Sequence, residues 1–297
     1  MQHIPVLLQK TIDALDIRSG DVFLDGTLGG GGHSELVCKL FGNRVTVIGI
    51  DRDASAVERS RNRLKNSGCQ TVLKVSNFRN LDLILDELKI SKVNKILFDL
   101  GLSSNQFEES GRGFSFQKNE PLLMTMASSS SENEMTAADI VNTWEGENIA
   151  TILKAYGEES FAERIAQGIV DARFHKPIKT TFDLVEIIKR ATPRFYHFKK
   201  IHPATKTFQA LRITVNDEMG ALQEGLSKGF ERLSSNGRMA VISFHSIEDR
   251  IVKNFFKEKA KIGMASLITK KPVVPSREET QANPRSRSAK LRILQKF

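Results

Sequence analysis

Cysteine is scarce: Cys38 and Cys69 are the only two in 297 residues. Two thiols cannot build a disulfide framework, and these two lack metal-ligand spacing, so both are expected to be buried, reduced core residues. No apolar run approaches the roughly 20 residues that span a bilayer. Residues 1–8 show no basic stretch followed by a long apolar one, so no signal peptide is expected and the cytoplasm is the expected compartment. A Gly-Lys-Ser/Thr triplet is also missing, which excludes a P-loop. Disorder is excluded by composition, with 40% hydrophobic and 27% charged residues. At about 150 residues per domain, the length predicts two domains.

Negative charge is the minority sign, and the formal net charge is +9. Its distribution carries the information. Residues 270–297 hold Lys270, Lys271, Arg277, Arg285, Arg287, Lys290, Arg292 and Lys296 against only Glu278 and Glu279, two thirds of the net total. Residues 189–206 hold six further cations and no acid, with Phe195, Tyr196 and Phe198 interleaved. Cations neutralise phosphates and aromatics stack on bases, so both runs suit RNA; two solvated basic surfaces are the plain alternative.

The first hundred residues alternate strand and helix. Apolar β-rich runs end at Asp25, Asp51 and Asp99, a fourth run covers 71–75, and a helical pattern covers 54–66. This grammar predicts βαβ units and a parallel sheet, which binds ligands at the carboxyl ends of its strands. Residues 107–205 read instead as helices, over 149–155, 158–173 and 181–191, the last capped by Thr180 or Thr181. Sheet grammar returns with a helix over 218–233, a turn at 234–237, a strand over 238–244, and a closing antiparallel pair at 267–269 and 290–294. The expected class is therefore α/β, with one sheet domain interrupted by a helical insert. Its domains are 1–106 with 207–297, and the insert 107–206.

The glycine cluster Asp25-Gly26-Thr27-Leu28-Gly29-Gly30-Gly31-Gly32-His33-Ser34 follows a strand and precedes a helix expected near Ser34. No frame supplies the dinucleotide spacing of glycines at i, i+2 and i+5. Acid-x-x-x-Gly-x-Gly does fit, on Asp25, Gly29 and Gly31, and that loop lets the backbone pass close to S-adenosylmethionine. Asp51 lies 22 residues after Gly29 and can accept both ribose hydroxyls as charge-assisted hydrogen bonds. His33 is read as a cofactor contact through its backbone, with a structural role as the alternative.

Asp99-Leu100-Gly101-Leu102-Ser103-Ser104-Asn105-Gln106 ends the fourth strand. An exocyclic amine is a poor nucleophile because its lone pair is conjugated into the ring. Acceptors that hold its N–H groups localise that lone pair, so catalysis there is mostly positioning. Asp99, Ser103 and Ser104 are the candidates; the alternative is an Asp99 that caps a helix.

These residues resemble the ribosomal RNA small subunit methyltransferase H family, also called MraW. The likeness extends through Arg112-Gly113-Phe114-Ser115-Phe116, Tyr156-Gly157-Glu158-Glu159, residues 202–212, residues 243–250 and Asn283-Pro284-Arg285-Ser286-Arg287-Ser288. It implies a class I, Rossmann-like methyltransferase sheet with a helical insert that recognises RNA. It implies S-adenosylmethionine as cofactor and N4 of a cytidine near the decoding site of small-subunit (16S) rRNA as target. By resemblance the cofactor contacts fall on Gly31, Gly32, His33, Asp51, Phe78, Asp99 and Gln106, with Phe78 beside the adenine and Asp99 and Gln106 near the methionine end. No metal and no membrane partner are implied, and a homodimer is left open.

The chain departs from the family pattern at Asn105, where the family has proline, at Lys206, where it has arginine, and at three positions of 121–127. Leu123, Thr125 and Ala127 stand where the family has Asp, Arg and Asp. They motivate a second reading, a weak or inactive homologue that binds S-adenosylmethionine and rRNA as an assembly factor. A third is a DNA amino-methyltransferase. The sequence 243–250 places Ser243, His245, Glu248 and Asp249 after a strand, where they could shape the target-base site or simply start a helix. It lacks the glycine elbow of a hydrolase.

Overall fold

A computed structural model describes residues 5–101, 111–127 and 135–297. The chain forms two compact units, residues 1–101 with 219–297, and residues 102–218.

The first unit opens with α1 (Leu8–Leu15), then alternates β1 (Val22–Asp25), α2 (Gly32–Phe41), β2 (Thr46–Asp51), α3 (Ala54–Leu64), β3 (Gln70–Val75), α4 (Leu81–Glu87) and β4 (Val93–Asp99). The second unit carries α5 (Ala137–Thr143), α6 (Gly146–Gly157), α7 (Ala162–His175), α8 (Thr181–Ala191), α9 (Arg194–His197) and α10 (Thr205–Asn216). The chain returns to the first unit along α11 (Glu218–Arg232), then β5 (Leu233–Ser243), α12 (Ser246–Lys261), β6 (Ala265–Leu267), α13 (Arg277–Ala282) and β7 (Lys290–Lys296).

Among the described residues, seven strands form one sheet in the order β3-β2-β1-β4-β5-β7-β6. β1 to β5 run parallel and β7 runs antiparallel to both β5 and β6. A parallel sheet is covered on both faces, so its strands are apolar nearly throughout. One core gathers Leu24, Ile48, Ile96, Phe98 and Val241, and another gathers Phe23, Val47, Leu97, Ala240 and Ile242. These are alternate residues of the same strands, as the two-residue period of a strand requires. The register Asp25↔Leu97 and Asp99↔Ile242 brings the carboxyl ends of β1, β4 and β5 to one edge.

The second unit has its own core, including Leu122, Met124, Ile140, Leu153, Ile165, Ile188 and Leu211. Two of its helices, α5 and α8, start on side-chain caps: Thr136 with Asp139, and Thr180 with Asp183, each close a capping box.

Several expectations shift. The helix expected from 158 begins at Ala162, because Glu158 adopts a left-handed conformation (φ 47°) and ends α6. The second unit extends past 206, since all of α10 belongs to it. Residues 234–237 lie within β5, where Asn236 takes φ 62° and the pairing shifts between Val93 and Lys95. The cofactor-loop helix starts at Gly32. Cys38 is buried, but Cys69 is only half-buried. Burial and a hydrogen bond with Cys38 push the Cys69 thiol up to about 12.

Candidate functional site

The site lies at the carboxyl edge of the sheet in the first unit, and its frame is the glycine turn between β1 and α2. Gly29 and Gly31 take left-handed conformations, φ 52° and 73°, which glycine adopts without penalty. A Cβ on Gly31 would meet Ser60 Oγ at 2.9 Å, and one on Gly32 would meet Pro5 Cγ at 2.2 Å. The turn is held from below by residues the sequence reading missed. Ser60 Oγ donates to the Gly29 carbonyl, and Arg63 donates to the Gly30 carbonyl while pairing with Glu35. Their only sequence signal is a helical spacing on α3.

Asp25 is buried. Ser34 Oγ donates to its Oδ2 at 2.7 Å and Thr27 N to its Oδ1 at 3.3 Å. Burial outweighs these bonds and pushes its carboxyl up to about 6. It therefore fastens both ends of the turn rather than facing a ligand.

Asp51 ends β2. Its Oδ2 accepts from Gly29 N at 2.7 Å and its Oδ1 from Asp53 N at 2.9 Å. Each carboxylate oxygen has a second lone pair, so two donors from a ligand can still be accepted. Burial raises its pKa, against the pull of those two amides.

Asp99 ends β4, with its N–H donating to Thr27 Oγ1. Its side chain is 20% exposed, yet Oδ1 is covered and has no hydrogen-bond partner among the described residues. Burial, then the charges of Asp25 and Glu248, raise its pKa well above the carboxylate range. His33 sits in the first turn of α2, its side chain is buried, and Nδ1 lies 3.8 Å from Asp99 Oδ2. The imidazole, and not only the backbone of His33, therefore faces the site.

Phe78 follows β3 in a short 3₁₀ turn capped by Asn77. Its ring centroid is 5.0 Å from that of Phe98, at 37°. A Cβ on Gly225 of α11 would meet it at 2.4 Å, so glycine there lets the ring pack flush. Ser103, Ser104 and Gln106 lie outside the described residues.

The loop after β5 closes the edge. His245 caps α12, with Glu248 N donating to its Nδ1, and Glu248 Oε2 accepts from the backbone of Phe244 and His245. The i, i+3 spacing of His245 and Glu248 reflects this cap. Phe244 packs against Gly101, and Glu248 raises the Asp99 carboxyl. Asp249 turns away, accepting from Arg292 at 2.7 Å and pairing with Lys290 at 3.3 Å.

An orphaned, covered carboxylate oxygen suits a ligand bearing a cation or an N–H donor, because burial without a partner is costly. Asp51 suits a diol, and the glycine turn suits a ligand that approaches the backbone closely. Sheet order, antiparallel β7 and this donor set define an S-adenosylmethionine-dependent methyltransferase of class I.

The whole chain, residues 1–297, matches the model of the MraW methylase family. A protein of Clostridium botulinum (strain Kyoto / Type A2) named Ribosomal RNA small subunit methyltransferase H is 45% identical over 312 residues, covering 100% of this chain and 99% of the relative. Namesakes from Heliobacterium mobile and Sulfurihydrogenibium sp. (strain YO3AOP1) are 44% and 45% identical, each covering 99% of this chain and 99% and 98% of the relative. The chain belongs to the MraW methylase family.

Proposed function

We propose that this protein transfers a methyl group from S-adenosylmethionine to N4 of a cytidine in small-subunit rRNA, in the cytoplasm where that subunit is made. The observation that carries the reading is Asp99: a covered carboxylate oxygen without a partner among the described residues, at the end of β4, in line with Asp51 and the glycine turn. Asp51 holds the ribose hydroxyls on its free lone pairs. Gly31 and Gly32 present backbone with no Cβ in the way, and Phe78 packs beside the adenine. When bound, the cofactor supplies an electrophilic methyl on a sulfonium.

The rest falls to the chain's own groups. Asp99 accepts a hydrogen bond from an ammonium or amine N–H, which supplies the partner that its covered oxygen lacks among the described residues. The buried His33 imidazole lies 3.8 Å from Asp99 Oδ2 and bounds the pocket on that side. Glu248, itself held by two backbone amides, fixes the loop that carries Phe244 at the strand's end. Catalysis is then alignment of an amine lone pair rather than strong base chemistry. Ser103 and Ser104 are proposed as further acceptors, and Gln106 as a methionine-end contact. The second unit, with its exposed Phe195 and Phe198 among cations, is proposed to receive RNA.

Mass spectrometry of rRNA nucleosides tests the reading. Small-subunit rRNA from cells lacking this protein should have lost an N4-methylated cytidine, which the parent gene restores and Asp99→Asn does not. Unchanged nucleosides in the cells lacking it would overturn the proposal.

A further inference from the structure

At the opposite, amino edge of the sheet the first unit has a cavity of about 330 Å³. That volume is at the lower end of the range for small-molecule sites. It is lined by Asp21, the start of β4 at Asn94 and Lys95, and residues 234–238 of β5. Lys95 lies near the start of β4, opposite Arg238 of β5, and its side chain is only 6% exposed. Its Nζ is 3.7 Å from Asp21 Oδ2, and the side chain lines the cavity. An ammonium carries three donors, and one long ion pair leaves capacity for an acceptor in the cavity.

The other charges of the cavity are already engaged. Arg18 pairs with Asp16 at 2.9 Å. Arg238 donates to Gln295 Oε1 and to the Ala14 carbonyl, and lies 3.6 Å from Asp16. Asp21 Oδ2 accepts from Arg18 N. Three cations face two carboxylates, so the cavity carries one uncompensated positive charge. Arg238 is committed to Gln295, Ala14 and Asp16, while Arg18 pairs with Asp16 at the exposed rim. What remains is the Lys95 point charge in a cavity that Ser234, Ser235 and Asn236 also line. That donor set suits a tetrahedral oxyanion, which takes hydrogen bonds from several directions.

We propose that this cavity binds a small phosphate-bearing molecule, with Lys95 Nζ as its charged contact. The site is separate from the methyl-transfer site, since it lies at the other edge of the same strands. Burial lowers the Lys95 pKa, against the pull of Asp21 and Asp16, and a bound oxyanion would offset that cost.

The test is calorimetric titration of the full-length protein with inorganic phosphate, at constant ionic strength held with chloride. Saturable binding is expected, at least 10-fold weaker in Lys95→Gln. Asn236→Asp, at an exposed position whose left-handed backbone aspartate tolerates, should weaken it similarly by placing a carboxylate at the rim. It guards against misfolding of the Lys95 variant. S-adenosylmethionine affinity should be unchanged in Asn236→Asp. Absence of saturable phosphate binding to the parent, or equal binding by Asn236→Asp, overturns the proposal. So does a salt dependence of RNA binding that falls in Asn236→Asp, because the cavity would then serve the RNA backbone.

Discussion

Asp25, Asp51 and Asp99 share one sheet edge, and their environments give them different work. Asp25 is sealed under the turn, and burial lifts it from 3.8 to about 6. The folded state thus binds its proton more tightly than the unfolded state does. Its contribution to stability is fully present below pH 4 and is lost as pH rises through 6, a fall of about 3 kcal/mol. Asp25→Asn keeps an acceptor for Ser34 and cannot ionise, so it should remove this decline. Denaturant midpoints at pH 4 and pH 7 would show it as a smaller pH dependence in the variant; identical dependence would mean that Asp25 does not titrate. Asp51 differs, because it has acceptor capacity left after Gly29 and Asp53. Losing a charged hydrogen bond of about 1.5–3 kcal/mol predicts that Asp51→Ala weakens S-adenosylmethionine binding about 10-fold or more. The same carboxylate anchors Gly29, so Asp51→Asn, with the turn kept, should show a smaller loss by calorimetry. Unchanged affinity in both would remove Asp51 from the cofactor site.

At the scale of elements, the consecutive glycines of the turn are not equivalent. A Cβ on Gly30 meets nothing nearer than Arg63 Nη1 at 3.9 Å, whereas one on Gly32 overlaps Pro5. Gly30→Ala should leave cofactor affinity and stability nearly unchanged. Gly32→Ala must displace Pro5 or tilt α2, costing about 1–3 kcal/mol, and should lower the melting temperature and cofactor affinity together. Equal behaviour of the two variants would show that the turn tolerates side chains throughout. The sequence could not rank these glycines, because the discriminating neighbour, Pro5, is 27 positions away. What it could show was local. The acid at the end of each apolar run placed Asp25, Asp51 and Asp99, and Thr180 or Thr181 signalled a helix start. The buried support of the turn was hidden, because Ser60 and Arg63 are ordinary polar residues of an amphipathic helix until tertiary contact gives them partners. The 234–237 segment was misread as a turn for the converse reason. Ser-Ser-Asn-Gly has turn chemistry, but pairing beside β4 carries the strand through it.

At the scale of the whole molecule, the charge surplus is smaller than the composition suggests. Arg292 is 14% exposed at its side chain and bound to Asp249, and Lys296 donates to the carbonyls of Phe230 and Leu233. In the second unit Lys206 donates to the Glu158 carbonyl and Lys189 pairs with Glu186. These cations already have partners within the chain. Arg285 and Arg287 are exposed, and Phe198 is 87% exposed on a segment anchored by Tyr196, whose hydroxyl donates to Glu159. Tyr196 thereby presents the aromatic segment while burying its own ring. RNA binding should therefore depend on salt through the exposed group. Log K should fall by about 0.7–0.9 per phosphate contact for each decade of salt. Replacing both Arg285 and Arg287 with Gln should flatten that slope by about 1.4–1.8 if each meets one phosphate, and leave S-adenosylmethionine affinity alone. Phe198→Ala should instead weaken binding with the slope kept, since stacking contributes about 1–3 kcal/mol per base without releasing counterions. Arg292→Gln should destabilise the fold by about 1–3 kcal/mol, because Asp249 is left buried with a weaker partner. Filter binding at several salt concentrations, beside thermal melts, separates the three. If Arg292→Gln alone flattened the slope, the RNA surface would lie on β7 and not on the exposed 285–287 turn.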